Sequence, residues 1–307
     1  MLRRKNDILW KGMLEEVFDD LLRFVFPDAD RLLDMSRGFE FLEKELGEMY
    51  PKPEKETDTK FVDKLVKAFQ KDGTEEWILC HVEIQGTNDK QFAERMFKYY
   101  TRIFDRFDRP MTAIAIFTGR DGKKLPGVYI RRYLGTELMY KYNTLCILDY
   151  EDRQLIANKN PFALVILAAK KALLKGKNLD QVLLNEKLTI AKLLIKRGYS
   201  EEKTKSILSF LHNYVRFEKP ETNRIFEREI DRLTGKANIM GIIEQVKQMK
   251  IAEAKEEGRK EGLKEVRTKM TAVVRNLIAE TNFSDKKIAD IAGVSEAFVK
   301  RVRQGVK

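Results

Sequence analysis

The sequence predicts an α/β fold with a mixed sheet, followed by an all-helical C-terminal half. Three observations carry that prediction. Strand-like segments flank a turn at Asp72-Gly73, helical periodicity both precedes and follows them, and beyond Asn160-Pro161 only helical periodicity remains. At 307 residues the chain is long enough for two or three domains, and 43% hydrophobic content is enough to bury a core.

Taken in order, Leu9, Met13, Val17, Leu21 and Val25 recur at helical spacing and predict a helix over 8–26, ended by Pro27. A second short helix is expected over 39–50, before Pro51. Strands follow at 61–69 and 77–85. Residues 91–107 read as a helix, and 112–118, 128–133 and 144–148 as further strands. Asn160 is suited to cap a helix that has Pro161 at its first position. Later helices are expected over 188–197, 201–216 and 222–234. Between Ile251 and Leu263 the apolar residues are all alanines, so that stretch has no face to bury and reads as a solvated spacer or a weak coiled coil.

The implied domains are 1–158, a helical domain 159–235, a linker 236–270 and a terminal helical unit 271–307. The balance of 59 Lys and Arg against 48 Asp and Glu, net +11, favours a polyanionic partner such as nucleic acid. Two cysteines without C-x-x-C spacing make no disulfide framework and suit a reducing cytoplasm. Two histidines argue against a zinc cluster or a histidine-based triad. Phe162–Ala169, the longest apolar run, falls well short of the ~20 residues of a membrane span. No membrane association is expected.

Within the second strand Leu79, His81, Glu83 and Gln85 share one face, while Ile78, Cys80, Val82 and Ile84 form a wholly apolar one. A hairpin symmetric about Gly73 would set Asp63 directly opposite Glu83, with Cβ atoms about 5 Å apart. Carboxylates that close repel unless a cation lies between them, and oxygen ligands select Mg²⁺ or Mn²⁺. Two unrelated acids at the wet end of a hairpin would read the same way. His81 shares the face, either as a ligand or base or as a packed neighbour.

The order of an acidic residue, a turn and an apolar strand ending in Glu-x-Gln resembles the PD-(D/E)xK nuclease superfamily. The run Asp63-Lys64-Leu65-Val66, then Trp77 through His81-Val82-Glu83-Ile84-Gln85-Gly86, then Phe92-Ala93-Glu94-Arg95-Met96 with Tyr99-Tyr100, is similar to the Rpn family. These are recombination-promoting nucleases, also described as transposases. The likeness extends over residues 1–170 and into Glu257-Gly258-Arg259-Lys260-Glu261-Gly262. It implies a restriction-endonuclease-like sheet core, Asp63 and Glu83 as metal ligands, and Gln85 at the position usually held by lysine. Glutamine can orient a water but cannot deprotonate it, so the identity of the base stays open. A first-helix carboxylate, Glu15, Glu16 or Asp19, is expected to complete the site.

Beyond the hairpin, Phe92, Met96, Tyr99, Tyr100, Ile103 and Phe107 form the apolar stripe of a helix whose other side carries Arg95, Lys98, Arg102 and Arg106. Such a row can follow a phosphate backbone or simply be solvated, and the resemblance favours a functional role for Arg95. In 284–303, Ser284 and Ser295 are candidate N-caps around a turn at Gly293. The spacing of Ala289, Gly293 and Val299 is similar to helix-turn-helix units, and the second helix offers Lys300, Arg301 and Arg303 to DNA. A helical hairpin used for packing or dimerisation has the same pattern. The expectation is a Mg²⁺-dependent DNA endonuclease associated with recombination or transposition, possible as a homodimer. The alternative is an inactive nuclease fold that regulates or binds DNA through its C-terminal unit.

Overall fold

The computed structural model describes residues 2–42, 62–83, 91–109, 111–122, 125–235, 241 and 268–305. The chain divides into two compact units, Met1–Met240 and Gly241–Lys307.

The first unit opens with α1 (Leu2–Glu16) and α2 (Phe18–Val25) rather than one helix. The bend lies at Val17, which leaves helical dihedrals at φ −128° and ψ 30°. Hydrogen bonds from Val17 N to Met13 O (3.1 Å) and from Leu21 N to Val17 O (2.9 Å) cross the bend. Trp10, Met13, Leu14, Val17, Phe18, Leu21 and Leu22 are buried, an apolar stripe at i, i+3 and i+4 spacing. Phe26, forced towards extended geometry by Pro27, ends α2. A one-turn helix, α3 (Ala29–Leu32), follows.

The helix expected over 39–50 is corrected at its start, where Glu40–Phe41 forms strand β1. Phe39 and Phe41, two residues apart, both pack edge-on against Phe18, at 5.1 and 5.7 Å. Only a period of two puts both rings on one side. Residues 43–61 lie outside the described residues.

The main sheet has five strands in the order β1-β2-β3-β4-β7. Strand β2 (Val62–Phe69) pairs antiparallel with β1 and with β3 (Glu75–Glu83). Strand β4 (Met111–Phe117) runs parallel to β3 and is reached through the crossover helix α4 (Phe92–Phe107), as a parallel pair requires. A separate hairpin of β5 (Val128–Tyr133) and β6 (Thr136–Lys141) follows, and then β7 (Asn143–Cys146), parallel to β4. The sheet is mixed, as expected.

One face of the sheet carries Leu65, Trp77, Leu79, Ala113, Ala115 and Phe117 against Phe92, Met96, Tyr99 and Ile103 of α4. The other face carries buried Lys64, which forms an ion pair with Glu15 of α1. The β5–β6 hairpin rests on α4 through Tyr129 stacked on Phe97 (5.1 Å) and Tyr140 beside Tyr100 (5.0 Å).

The remainder of the unit is helical: α5 (Asp152–Ala157), α6 (Pro161–Lys171), α7 (Leu179–Lys196), α8 (Glu201–Tyr214) and α9 (Pro220–Thr234). Asn160 caps α6 by accepting from Phe162 N (2.8 Å) and donates its amide to Asp20 O (2.9 Å). The apolar run Phe162–Ala169 is buried on every side, as a central core helix. These helices also close over the N-terminus. Trp10 meets Phe210 (5.2 Å) and Tyr214 (6.0 Å), while Lys203 binds Asp20 (2.6 Å) and Asp19 (3.0 Å). No helix among the described residues is long and apolar enough to cross a membrane.

In the second unit residues 268–280 are helical and form α10, followed by α11 (Asp285–Ala292) and α12 (Glu296–Gln304). Ser284 and Ser295 accept hydrogen bonds from Lys287 N and Phe298 N, each 3.3 Å. Gly293, at φ +63°, makes the turn between α11 and α12. Val274, Ile288, Ala289, Ala292 and Val299 form the buried core, with Leu277 and Ile278 packed against it. The spacer expected over 236–270 lies almost wholly outside the described residues.

Candidate active site

The β2–β3 hairpin sets the geometry. Gly73 N donates to Gln70 O (2.9 Å), Gln70 N donates to Thr74 O (2.8 Å), and Gly73 has φ +89°. This is a three-residue loop, a type I turn over 70–73 with glycine at its closing left-handed position. Gly73 therefore ends the loop rather than centring it. Asp63 pairs with His81, not with Glu83. The expected direct opposition of Asp63 and Glu83 is thus corrected by a two-residue change of register.

An even shift preserves the face. Because Asp63 pairs with His81 and Glu83 lies two residues beyond, all three occupy the α4 side of the hairpin. Asp63 and Glu83 become diagonal neighbours, which in antiparallel pairs are about 7–8 Å apart. Glu83 ends β3 and pairs with Phe117 of β4. Gln85 lies outside the described residues.

His81 is fully buried, with its ring 5.1 Å from Phe92 and 6.1 Å from Tyr99. Of the two readings open for it, the packing is that of an aromatic-lined core histidine. The ring of Phe92 links it to Arg95, whose guanidinium lies 5.3 Å above that ring. Arg95 also faces Tyr142. Burial pushes the Tyr142 hydroxyl well above its ordinary pKa, and the Arg95 charge pulls the other way.

The first-helix carboxylates divide. Glu15 pairs with Lys64, which neighbours Asp63 in sequence but faces α1 across the sheet. Glu16 is exposed. Asp19, on α2, binds Arg23 (2.7 Å) and Lys203 (3.0 Å). Burial would raise its pKa, yet those two cations hold it below the ordinary carboxylate range. Asp20 beside it is raised, with burial and the Asp19 charge outweighing Lys203. Sequence pattern alone does not mark Lys64, Asp20 and Lys203 as members of ion pairs. A lysine on an otherwise apolar strand face, Val62-x-Lys64-x-Val66, was the available signal for the first.

On α4, Lys98 pairs with Glu94 (2.9 Å), and Arg102 is exposed. In the second unit Lys300 pairs with Glu296 (3.0 Å) and Arg303 with Asp285 (2.8 Å), while Arg301 is exposed. Cys80 and Cys146 are buried and outside any disulfide. Among the described residues no cluster of three His, Cys, Asp or Glu side chains is arranged to hold a metal.

Comparison with protein-family models, curated proteins and solved structures finds no match to this chain.

Proposed function

We propose that the chain is a metal-dependent DNA endonuclease with a restriction-endonuclease-like core, similar to the Rpn nucleases. The observation that carries this reading is the shared face of Asp63, His81 and Glu83 on an antiparallel hairpin whose second strand leads through α4 to a parallel strand. Asp63 and Glu83 would hold Mg²⁺ or Mn²⁺, and hard oxygen donors from two adjacent strands fit either ion. When bound, such a cation supplies Lewis acidity to the phosphodiester and eases deprotonation of a water. Gln85 would orient the attacking water by hydrogen bonding, and Arg95 would hold a phosphate oxygen beside it. Hydrolysis is in-line: water adds at phosphorus as the bond to one sugar oxygen breaks.

The second unit reads as a helix-turn-helix-like DNA-binding element, with Lys300, Arg301 and Arg303 on the helix offered to the duplex. Both serine caps and the left-handed Gly293 support that reading. Their presence also favours a second reading, in which the core is inactive and the chain binds or regulates DNA through this unit. Cutting both strands with one site per chain would call for a homodimer.

Plasmid nicking with Mg²⁺ separates the two readings. The wild-type protein should nick, and Asp63→Ala or Glu83→Ala should lower the rate on the order of 10²–10³-fold, as for loss of a main electrostatic stabiliser. Cleavage surviving both substitutions removes the site assignment. Binding without any cleavage selects the regulatory reading.

A further inference from the structure

The three most exposed large apolar side chains among the described residues are Leu134 (88%), Tyr133 (74%) and Met139 (62%), all in the β5–β6 hairpin. Tyr133 and Leu134 stand at its tip, where Leu134 (φ 42°) and Gly135 (φ 81°) make the two-residue turn. Turns of this kind take Asn or Asp before Gly, because those residues tolerate the left-handed region and are readily hydrated. A leucine here is strained and almost wholly in water. It contributes nothing to the core, so its presence calls for an external partner.

The inner face of the hairpin is occupied: Tyr129 stacks and Tyr140 packs at a tilt on α4. On the outer face Ile130 and Met139 are exposed. There Ile130 and Met139 form a cross-strand pair, with Arg132 and Lys141 on the same side. Over the whole hairpin Arg131, Arg132 and Lys141 stand against a single acid, Glu137, which pairs with Arg132 (2.9 Å). Basic flanks around an apolar tip complement a duplex, whose phosphates lie outside and whose stacked bases lie within.

We infer that the β5–β6 hairpin is a DNA-binding ribbon that enters the minor groove and wedges Leu134, supported by Tyr133, into a base step. The choice of DNA rests on the nuclease reading. Arg131 and Arg132 contact the flanking phosphates. The root of the ribbon adjoins the candidate site, since the Tyr142 ring lies 6.1 Å from Phe92, over which Arg95 sits. Strands of six residues at about 3.3 Å per residue reach about 20 Å.

The test uses the full chain in EDTA, so that cleavage plays no part. The probe is a DNA duplex carrying a fluorescent base analogue at successive steps. Leu134→Asn keeps a residue that suits the turn and so preserves the fold, and Arg131→Ala with Arg132→Ala removes the flanking charge. The wild-type protein should unstack the analogue at one step. Leu134→Asn should abolish that signal and weaken binding about ten-fold, the loss of one apolar wedge contact. Unstacking and affinity unchanged in Leu134→Asn would overturn the inference. So would hairpin variants that keep DNA binding but lose binding to anionic phospholipid vesicles. Because Asp63 and Glu83 are untouched, either result leaves the nicking assay to judge the nuclease reading separately.

Discussion

Lys187 is fully buried in α7, donating to Val215 O (2.9 Å) and His212 O (3.3 Å) at the end of α8, with Phe217 and Phe226 4.2 and 4.3 Å from its Nζ. Burial pulls its pKa from 10.5 to about 7, against the Glu227 charge. The sign follows from linkage. Between those two values the unfolded chain holds a proton that the folded one has released, so this residue makes stability rise with pH across that window. Urea midpoints measured from near pH 7 towards pH 10.5 should climb less in Lys187→Met than in wild type. Equal slopes would show that the amine is not desolvated. A sequence could not announce this site, because Lys187 is surrounded by residues 25 to 39 positions away along the chain. Asp63 and Glu83, by contrast, stood out as acids at the end of an apolar hairpin.

Individual elements show where sequence reading holds and where it gives way. The Asp72-Gly73 turn, the apolar faces of β3 and the buried stripe of α4 follow from period and turn chemistry alone. Register does not, because Asp-Gly fits the middle of a two-residue loop as well as the end of a three-residue one. Only the hydrogen bonds at Gln70 decide between them. Strand β6 is hidden in the sequence for a related reason: Leu134-Gly135 carries no polar turn signal. Helix α5 was legible in principle, since Glu151 and Gln154 form a reciprocal capping box. The sequence indicates the Asn160 cap of α6, but not its bond to Asp20 O. Asn160→Ala loses both, and thermal unfolding should report a loss of about 1–2 kcal/mol. A loss far below that range would mean that neither bond contributes to holding α6.

Across the whole molecule, the two compact units each have a hydrophobic core of their own. A fragment of residues 1–240 should therefore fold, and on the proposed reading should keep Mg²⁺-dependent nicking while losing part of its DNA affinity. A fragment that binds DNA as tightly as the full chain would remove the second unit from recognition. The first unit is closed by contacts of very long sequence separation. Trp10 packs on Phe210, Asn6 accepts from Arg216 (2.8 Å) and Asp20 binds Lys203. During synthesis this makes the earliest residues the last to be covered. At about 5–20 residues per second, the apolar stripe of α1 waits on the order of 10–40 s for α8 to leave the ribosome. Throughout that interval a nascent chain displays Trp10, a natural target for chaperones, and a message truncated before α8 leaves that indole without Phe210 and Tyr214.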